Sequence, residues 1–239
     1  MKTAKKMKKT VIFALIAMLC IPLTCEAKKK EKRSVVRLET SEGIIRVALS
    51  DDTPIHRDNF LHLVDKGFYD GTLFHRCIAD FMIQGGDPDS RTAAPEQVLG
   101  DGGVGYTLQP EFCLPYLYHW RGALAAAREP DEVNPEMRSS GCQFYIVYGK
   151  KQKSQDLSKI RPLISERGYE LTAPMADDYR TRGGTPHLDG AYTVFGEVVE
   201  GMDVVQAIQA VPTDGNDRPL KDIVIRHAEV EQRSKEAAK

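Results

Sequence analysis

Short apolar runs broken by Gly, Pro and Asp set the main constraint on this fold. From residue 72 onward they fall at 72–76, 81–84, 122–127, 143–148, 193–199 and 223–230. Each has strand length and is bounded by turn-forming residues. Ahead of them, Val35-Val36-Arg37-Leu38 and the alternating Ile45, Val47 and Leu49 read as a hairpin turning over 40–43. Helical spacing occurs in two places. Thr53 and Pro54 supply an N-cap and a first helical residue, Phe60, Leu63 and Val64 share one face, and Gly67 ends the run. The second helix covers 202–211, with Val204, Val205, Ile208 and Val211 on one stripe and Pro212 as its stop. Many strands, two helices and no βαβ alternation predict an all-β antiparallel barrel or sandwich.

Composition narrows the class. At 41% apolar and 28% charged over 239 residues, the chain can bury a core and is neither disordered nor a multispan membrane protein. The first 27 residues stand apart: Lys2, Lys5, Lys6, Lys8 and Lys9 precede an apolar run at 11–21, then Pro22 and Cys25-Glu26-Ala27. That layout is a secretory signal, and the apolar run is short for a stable membrane span. A buried N-terminal helix is the plainer alternative. Export, to a periplasm, is therefore expected, with a lipid anchor on Cys20 or Cys25 as the second choice. Removing residues 1–27 takes away five lysines and one glutamate and leaves a formal charge of −5. A mildly acidic chain has no general attraction to nucleic acid, and the basic cluster at 28–33 reads as a solvated tether.

The remaining blocks are assigned in the same way. A single domain, acting as a monomer, is expected over 34–230, with a charged tail at 231–239 that frays. Residues 150–184 form a polar insertion, including a short capped helix from Thr172 to Gly183, and read as a tolerated surface insertion or as a functional lip. Cys77, Cys113 and Cys142 are an odd, widely spaced set, expected as buried free thiols, with a single bridge as the lesser alternative. Gly100, Gly102 and Gly105 satisfy G-x-G-x-x-G, but Tyr106-Thr-Leu-Gln-Pro follows instead of a helix, so nucleotide binding is rejected. His56 and His62 are placed on the exposed side of the first helix, and His75 as a satisfied, half-buried imidazole. No histidine spacing suits a metal, and no cofactor is implied. Cys142 with a histidine could form a thiol hydrolase pair, although its flanks alternate like a strand.

One stretch carries chemistry: Phe74-His75-Arg76-Cys77-Ile78-Ala79-Asp80-Phe81-Met82-Ile83-Gln84-Gly85-Gly86-Asp87. Two short strands with a tight connection bring Arg76, Phe81, Met82 and Gln84 together. A cation beside Phe and Met demands a partner, so the structural alternative is an Arg76 ion pair with Asp87 or Glu111.

This stretch resembles the cyclophilin family motif F-H-R-x-I-x-x-F-M-x-Q-G-G-D. Three further blocks match in order. Gly122-Ala-Leu-Ala-Ala-Ala resembles G-x-L-S-M-A, Ser140-Gly141-Cys142-Gln143-Phe144-Tyr145-Ile146 resembles N-G-S-Q-F-F-I, and the run from Leu188 to Met202 resembles L-D-G-K-H-V-V-F-G-x-V-x-x-G-M. The resemblance spans 35–230. It implies a closed eight-stranded antiparallel barrel capped by two α-helices, and peptidyl-prolyl cis-trans isomerase activity on proline-containing peptides and unfolded or folding proteins. It implies Arg76, Phe81 and Gln84 as catalytic residues. Met82, Ala127, Arg128, Gln143, Tyr145, His187, Leu188 and Tyr192 would contact substrate. Arg128 stands in place of Asn, Tyr145 of Phe and Tyr192 of His. His187 stands where many members have Trp, which weakens the expectation of strong cyclosporin binding. These departures and the insertion motivate a proline-peptide binding module, or holdase chaperone, as the alternative. The mature chain is predicted to begin at Lys28. Intact mass of the exported protein checks this: retention of Met1 contradicts cleavage, and an added acyl mass on a shorter leader assigns the lipid anchor.

Overall fold

Alternation builds the first hairpin. In β1 (Val35–Thr40) Val36 and Leu38 are fully buried, and in the antiparallel β2 (Gly43–Leu49) so are Ile45, Val47 and Leu49. The computed structural model describes residues 33–237. The expected leader, and all of the basic tether except Arg33, lie outside them. The described residues form one compact unit. The remaining strands are β3 (Arg76–Ile78), β4 (Met82–Gly85), β5 (Thr107–Leu108), β6 (Ala123–Ala126), β7 (Ser139–Ser140), β8 (Phe144–Val147), β9 (Val194–Glu200) and β10 (Ile225–Gln232). Eight of them form one antiparallel sheet in the order β10-β1-β2-β9-β6-β8-β4-β3, while β5 pairs with β7 alone.

The sheet curls without closing, which corrects the expected closed barrel. Its edges are β3 and β10. Residues 72–75, expected as strand, supply one isolated bridge between Leu73 and Val224, flanked by Phe74 N–H to Ile223 carbonyl and Ile225 N–H to Thr72 carbonyl. Elsewhere along that edge the donors go to other acceptors. Leu73 N–H is held by the Ser90 hydroxyl at 3.0 Å and Cys77 N–H by the Asp217 carbonyl at 2.9 Å. With those groups committed, no continuous ladder can form.

Inside the curl lies the main core. Phe60, Tyr69, Phe74, Phe144 and Phe195 sit 0–3% exposed with Leu38, Ile83, Leu124 and Ile146. Several of these rings meet edge to face, as Phe60 and Tyr69 do with Phe144 at 5.4 Å, contacts worth about 0.5–1.5 kcal/mol each beyond their burial. Helix α1 (Pro54–Asp65) contributes Phe60, Leu61, Leu63 and Val64 to this core, and a terminal helix, Met202–Gln209, contributes Val205 and Ile208.

Among the described residues there are four α-helices, where two and the short capped helix of the insertion were expected. In chain order the others are α2 (Ser154–Glu166) and α3 (Ala173–Thr181), both in the insertion, so Met202–Gln209 is α4. Thr172 caps α3 as expected, accepting from Met175 N–H at 3.4 Å. Pro162 inside α2 masks its helical signal. Their own small core unites Leu157, Ile164, Leu171, Met175 and Tyr179.

Three smaller expectations are also corrected. The tail is docked as far as Ser234, whose N–H reaches the Ser34 hydroxyl at 2.8 Å and whose hydroxyl reaches Asp51 at 2.7 Å. His56 is buried, because Glu111 and Ser139 cover that side of α1 and bind its two ring nitrogens at 2.6 and 2.9 Å. His75 is 2% exposed with neither ring nitrogen partnered among the described residues. Cys77 and Cys142 are buried free thiols and Cys113 a partly exposed one. Among the described residues no helix is long and apolar enough to cross a membrane.

Burial lowers the His75 pKa from 6.5 to about 4, against a partial offset from Asp87. The unfolded chain therefore binds a proton between these limits that the folded chain refuses, and stability falls as pH drops through that window. A loss of about 2–3 kcal/mol from this group is expected. Urea unfolding at several pH values should show a smaller slope for His75→Asn than for wild type; equal slopes would contradict the assignment.

Candidate active site

Strand register assembles the site. Arg76 on β3 faces Gln84 on β4, Gln84 faces Tyr145 on β8, and Tyr145 faces Ala125 on β6. Because successive side chains alternate, Ile83 and Phe144 enter the core while Met82, Gln84 and Tyr145 share the outer face. There Met82, Ala123, Ala125, Tyr145, Val147 and Val194 form a second apolar cluster, extended by Phe81, Leu188 and Tyr192. On it opens a cavity of about 210 Å³, lined by Arg76, Phe81, Met82, Gln84, Ala127, Arg128, Tyr145, Leu188 and Tyr192. Of the expected site residues, Gln143 and His187 are not on its wall. Gln143 lies behind Gln84, in an adjoining hollow of about 540 Å³. His187 is at the rim, its ring stacked on Phe81 at 5.7 Å.

Arg76 makes one ion pair, from Nε to Asp217 at 3.3 Å, with its side chain 43% exposed. Neither terminal nitrogen has a partner among the described residues. Asp87 instead accepts from Asp89 and Gly100 N–H at 2.9 and 2.6 Å, and Glu111 is taken by Ile55 and His56. An exposed pair of this kind contributes at most about 1 kcal/mol, so a structural role does not account for Arg76.

The polar edge is set by the glycine loop. Gly100 and Gly102 carbonyls accept from Gln143 Nε2 at 2.6 and 2.7 Å, and Gln143 Oε1 accepts from Gln84 Nε2 at 3.0 Å. Two carbonyls around one amide fix its orientation and, through it, that of Gln84, whose own carbonyl is left unpartnered among the described residues. Gly102 is required there, since an added Cβ would overlap the Asp87 carboxylate.

On the opposite edge Arg128 folds back. Its guanidinium lies 4.5 Å from the Tyr192 ring centroid, and its Nε donates to the Ala191 carbonyl at 2.7 Å. The side chain is thus occupied. Ala127 uses both backbone groups, with Gln143 carbonyl and Ser140 N–H, whereas the Arg128 N–H and carbonyl have no partner among the described residues. Tyr145 is 4% exposed, and its hydroxyl meets His119 Nε2 at 2.9 Å. Burial pushes that hydroxyl well above the usual tyrosine range, so it keeps its proton.

Cys142 is 3% exposed, and burial pushes its thiol up to about 11. A buried neutral thiol is no nucleophile, which removes the hydrolase reading. Sequence reasoning missed Asp217 and His119. Asp217 sits in a surface turn with φ +62°, and His119 in an irregular segment, so neither carried a periodic or motif signal.

Comparison with known proteins fits this geometry. Residues 35–230 match the family model for cyclophilin type peptidyl-prolyl cis-trans isomerase/CLD. A Staphylococcus aureus protein described as a candidate peptidyl-prolyl cis-trans isomerase is 35% identical over 82% of this chain and 91% of its own length. A Streptococcus pyogenes protein, described as a candidate bifunctional phosphatase/peptidyl-prolyl cis-trans isomerase, is also 35% identical, and the match covers 38% of it. The crystal structure of a Cryptosporidium parvum cyclophilin type peptidyl-prolyl cis-trans isomerase superposes with TM-score 0.62 at 24% identity, covering 84% of this chain and 99% of that one. The same protein in the presence of the dipeptide Ala-Pro superposes with TM-score 0.59 at 25% identity, covering 83% and 99%. The outer-face cavity, its arginine and these relatives agree: the chain belongs to the cyclophilin-type peptidyl-prolyl cis-trans isomerase family.

Proposed function

We propose that this protein accelerates rotation about X–Pro peptide bonds, with Arg76 acting on the bond and the apolar cavity holding the prolyl ring. Amide resonance sets the rotation barrier at about 18–20 kcal/mol, so uncatalysed exchange takes roughly tens to hundreds of seconds. Half-way through the turn the conjugation is lost and the prolyl nitrogen carries a free lone pair. A donor aimed at that lone pair stabilises the twisted state and gains little from the planar one, which is the differential catalysis requires.

The observation that carries this reading is the state of the Arg76 guanidinium. Asp217 holds its Nε, and both terminal nitrogens remain available beside the cavity. An arginine stays protonated and offers directed donors. Phe81, Met82, Tyr145 and Leu188 surround the ring and exclude water, so the new hydrogen bond acts in a lower dielectric. Gln84, locked by Gln143, turns its carbonyl oxygen to the polar edge, where it can accept from a peptide N–H. The free N–H and carbonyl of Arg128 are placed to pair with an extended peptide backbone. Replacement of Asn at that position is mild on this account, because its side chain is spent on Tyr192 and Ala191. The relative solved with Ala-Pro supports a prolyl dipeptide as the minimal occupant. Substrates are then exported, folding chains that present X–Pro bonds, if the N-terminal leader works as its sequence suggests.

Arg76→Ala is expected to lower kcat/KM by at least about tenfold, or 1.4 kcal/mol of barrier, with unfolding free energy within about 1 kcal/mol of wild type. An isomer-specific peptide assay and urea unfolding on the same samples check both. Unchanged kcat/KM would remove Arg76 from the mechanism.

A further inference from the structure

Behind the cavity runs a line of buried polar side chains that the isomerase reading leaves unused. Tyr145 meets His119 Nε2 at 2.9 Å. His119 Nδ1 and its backbone N–H both reach Asp189 Oδ1 at 2.9 Å, and the Tyr179 hydroxyl donates to Asp189 Oδ2 at 2.6 Å. All four residues are 0–4% exposed. A carboxylate only accepts, so Nδ1 carries a hydrogen toward Asp189, and in that tautomer Nε2 accepts from the Tyr145 hydroxyl. The line therefore runs, donor to acceptor, from the cavity wall inward and from α3 inward, and meets on Asp189.

Tyr179 belongs to the insertion. It is the only partner of Asp189 Oδ2 among the described residues, and a fully buried carboxylate oxygen left bare is costly. Removing the insertion would thus leave the cavity side incomplete. A second grip is independent of the first. Arg167, the residue after α2, donates from Nη1 to the His187 and Asp189 carbonyls, both at 2.8 Å. Gly190 is pressed so closely against Tyr169 that an added Cβ would come within 2.7 Å of its ring. Between these contacts lies Leu188, on the cavity wall.

We propose that residues 150–184 brace the prolyl cavity, with Tyr179 and Arg167 as positioning residues that act through Asp189 and His119 on Tyr145 and Leu188. This rests on the isomerase reading of the cavity. A tolerated surface insertion has no need to complete a buried carboxylate and to hold the two carbonyl groups that flank Leu188.

The test measures KM and kcat on one X–Pro peptide, using the purified chain as wild type, Tyr179→Phe, Tyr145→Phe, the double variant and Tyr118→Phe. The Tyr118 hydroxyl bonds Asp178 of the insertion and none of the four residues of the buried line; its ring lies 5.7 Å from that of Tyr179, a contact the Phe variant keeps. Tyr179→Phe should raise KM by about threefold or more with a smaller change in kcat, and should add nothing in the Tyr145→Phe background. Tyr118→Phe should leave KM unchanged. Additive effects, an unchanged KM with a lowered Tm, or an equal rise in Tyr118→Phe would overturn the brace. Should Tyr179→Phe fail to fold, Arg167→Met, which leaves the carboxylate untouched, takes its place with the same expected rise. An inactive wild type sinks the isomerase reading instead, and peptide Kd in the same samples then decides the brace; a wild type that neither turns over nor binds removes both.

Discussion

Backbone pairing among β3, β4 and β8 decides which side chains share a face, and the site follows from that register. A slip of one residue in β4 would send Gln84 and Met82 into the aromatic core and bring Ile83 to the surface. The register is therefore fixed by burial: Ile83, Phe144 and Ile146 are fully enclosed, and no alternative pairing satisfies them. In this way the same hydrogen bonds that hold the curled sheet place a guanidinium, a carboxamide and a tyrosine in one row. Function here is a by-product of alternation on a sheet whose inner face is spoken for.

Much of that was legible in the sequence. The hairpin, α1, α4 and the strands around Gln84, Leu124, Tyr145 and Val198 all followed from period and turn residues. Nine of the eleven expected site residues do line one cavity. What escaped has a physical cause in each case. The open seam depends on where single N–H groups such as that of Leu73 find acceptors, which no pattern reports. Helix α2 hides behind Pro162. His56 is buried by a segment distant in sequence, and the Asp217 partner of Arg76 comes from 141 residues away. Long-range polar pairing, unlike apolar period, leaves no local trace.

The departures from the family pattern make sense as compensated pairs. Tyr145 brings an extra hydroxyl to an apolar wall, and His119 Nε2 is its hydrogen-bond partner. Arg128 brings a charge to the groove edge, and Tyr192, itself a replacement, lies under it. Both changes leave the space for a prolyl ring intact while moving polar atoms out of it. The buried line through Asp189 extends this logic outward to Tyr179 of the insertion.

The central claim is that the groove speeds bond rotation and does not merely hold proline. Exchange-resolved NMR on one X–Pro peptide reports cis–trans exchange and dissociation in the same sample. With catalytic amounts of the protein, cis–trans exchange should shorten from roughly tens of seconds to well under a second. Saturable binding of the peptide with exchange left at its uncatalysed rate would contradict the account.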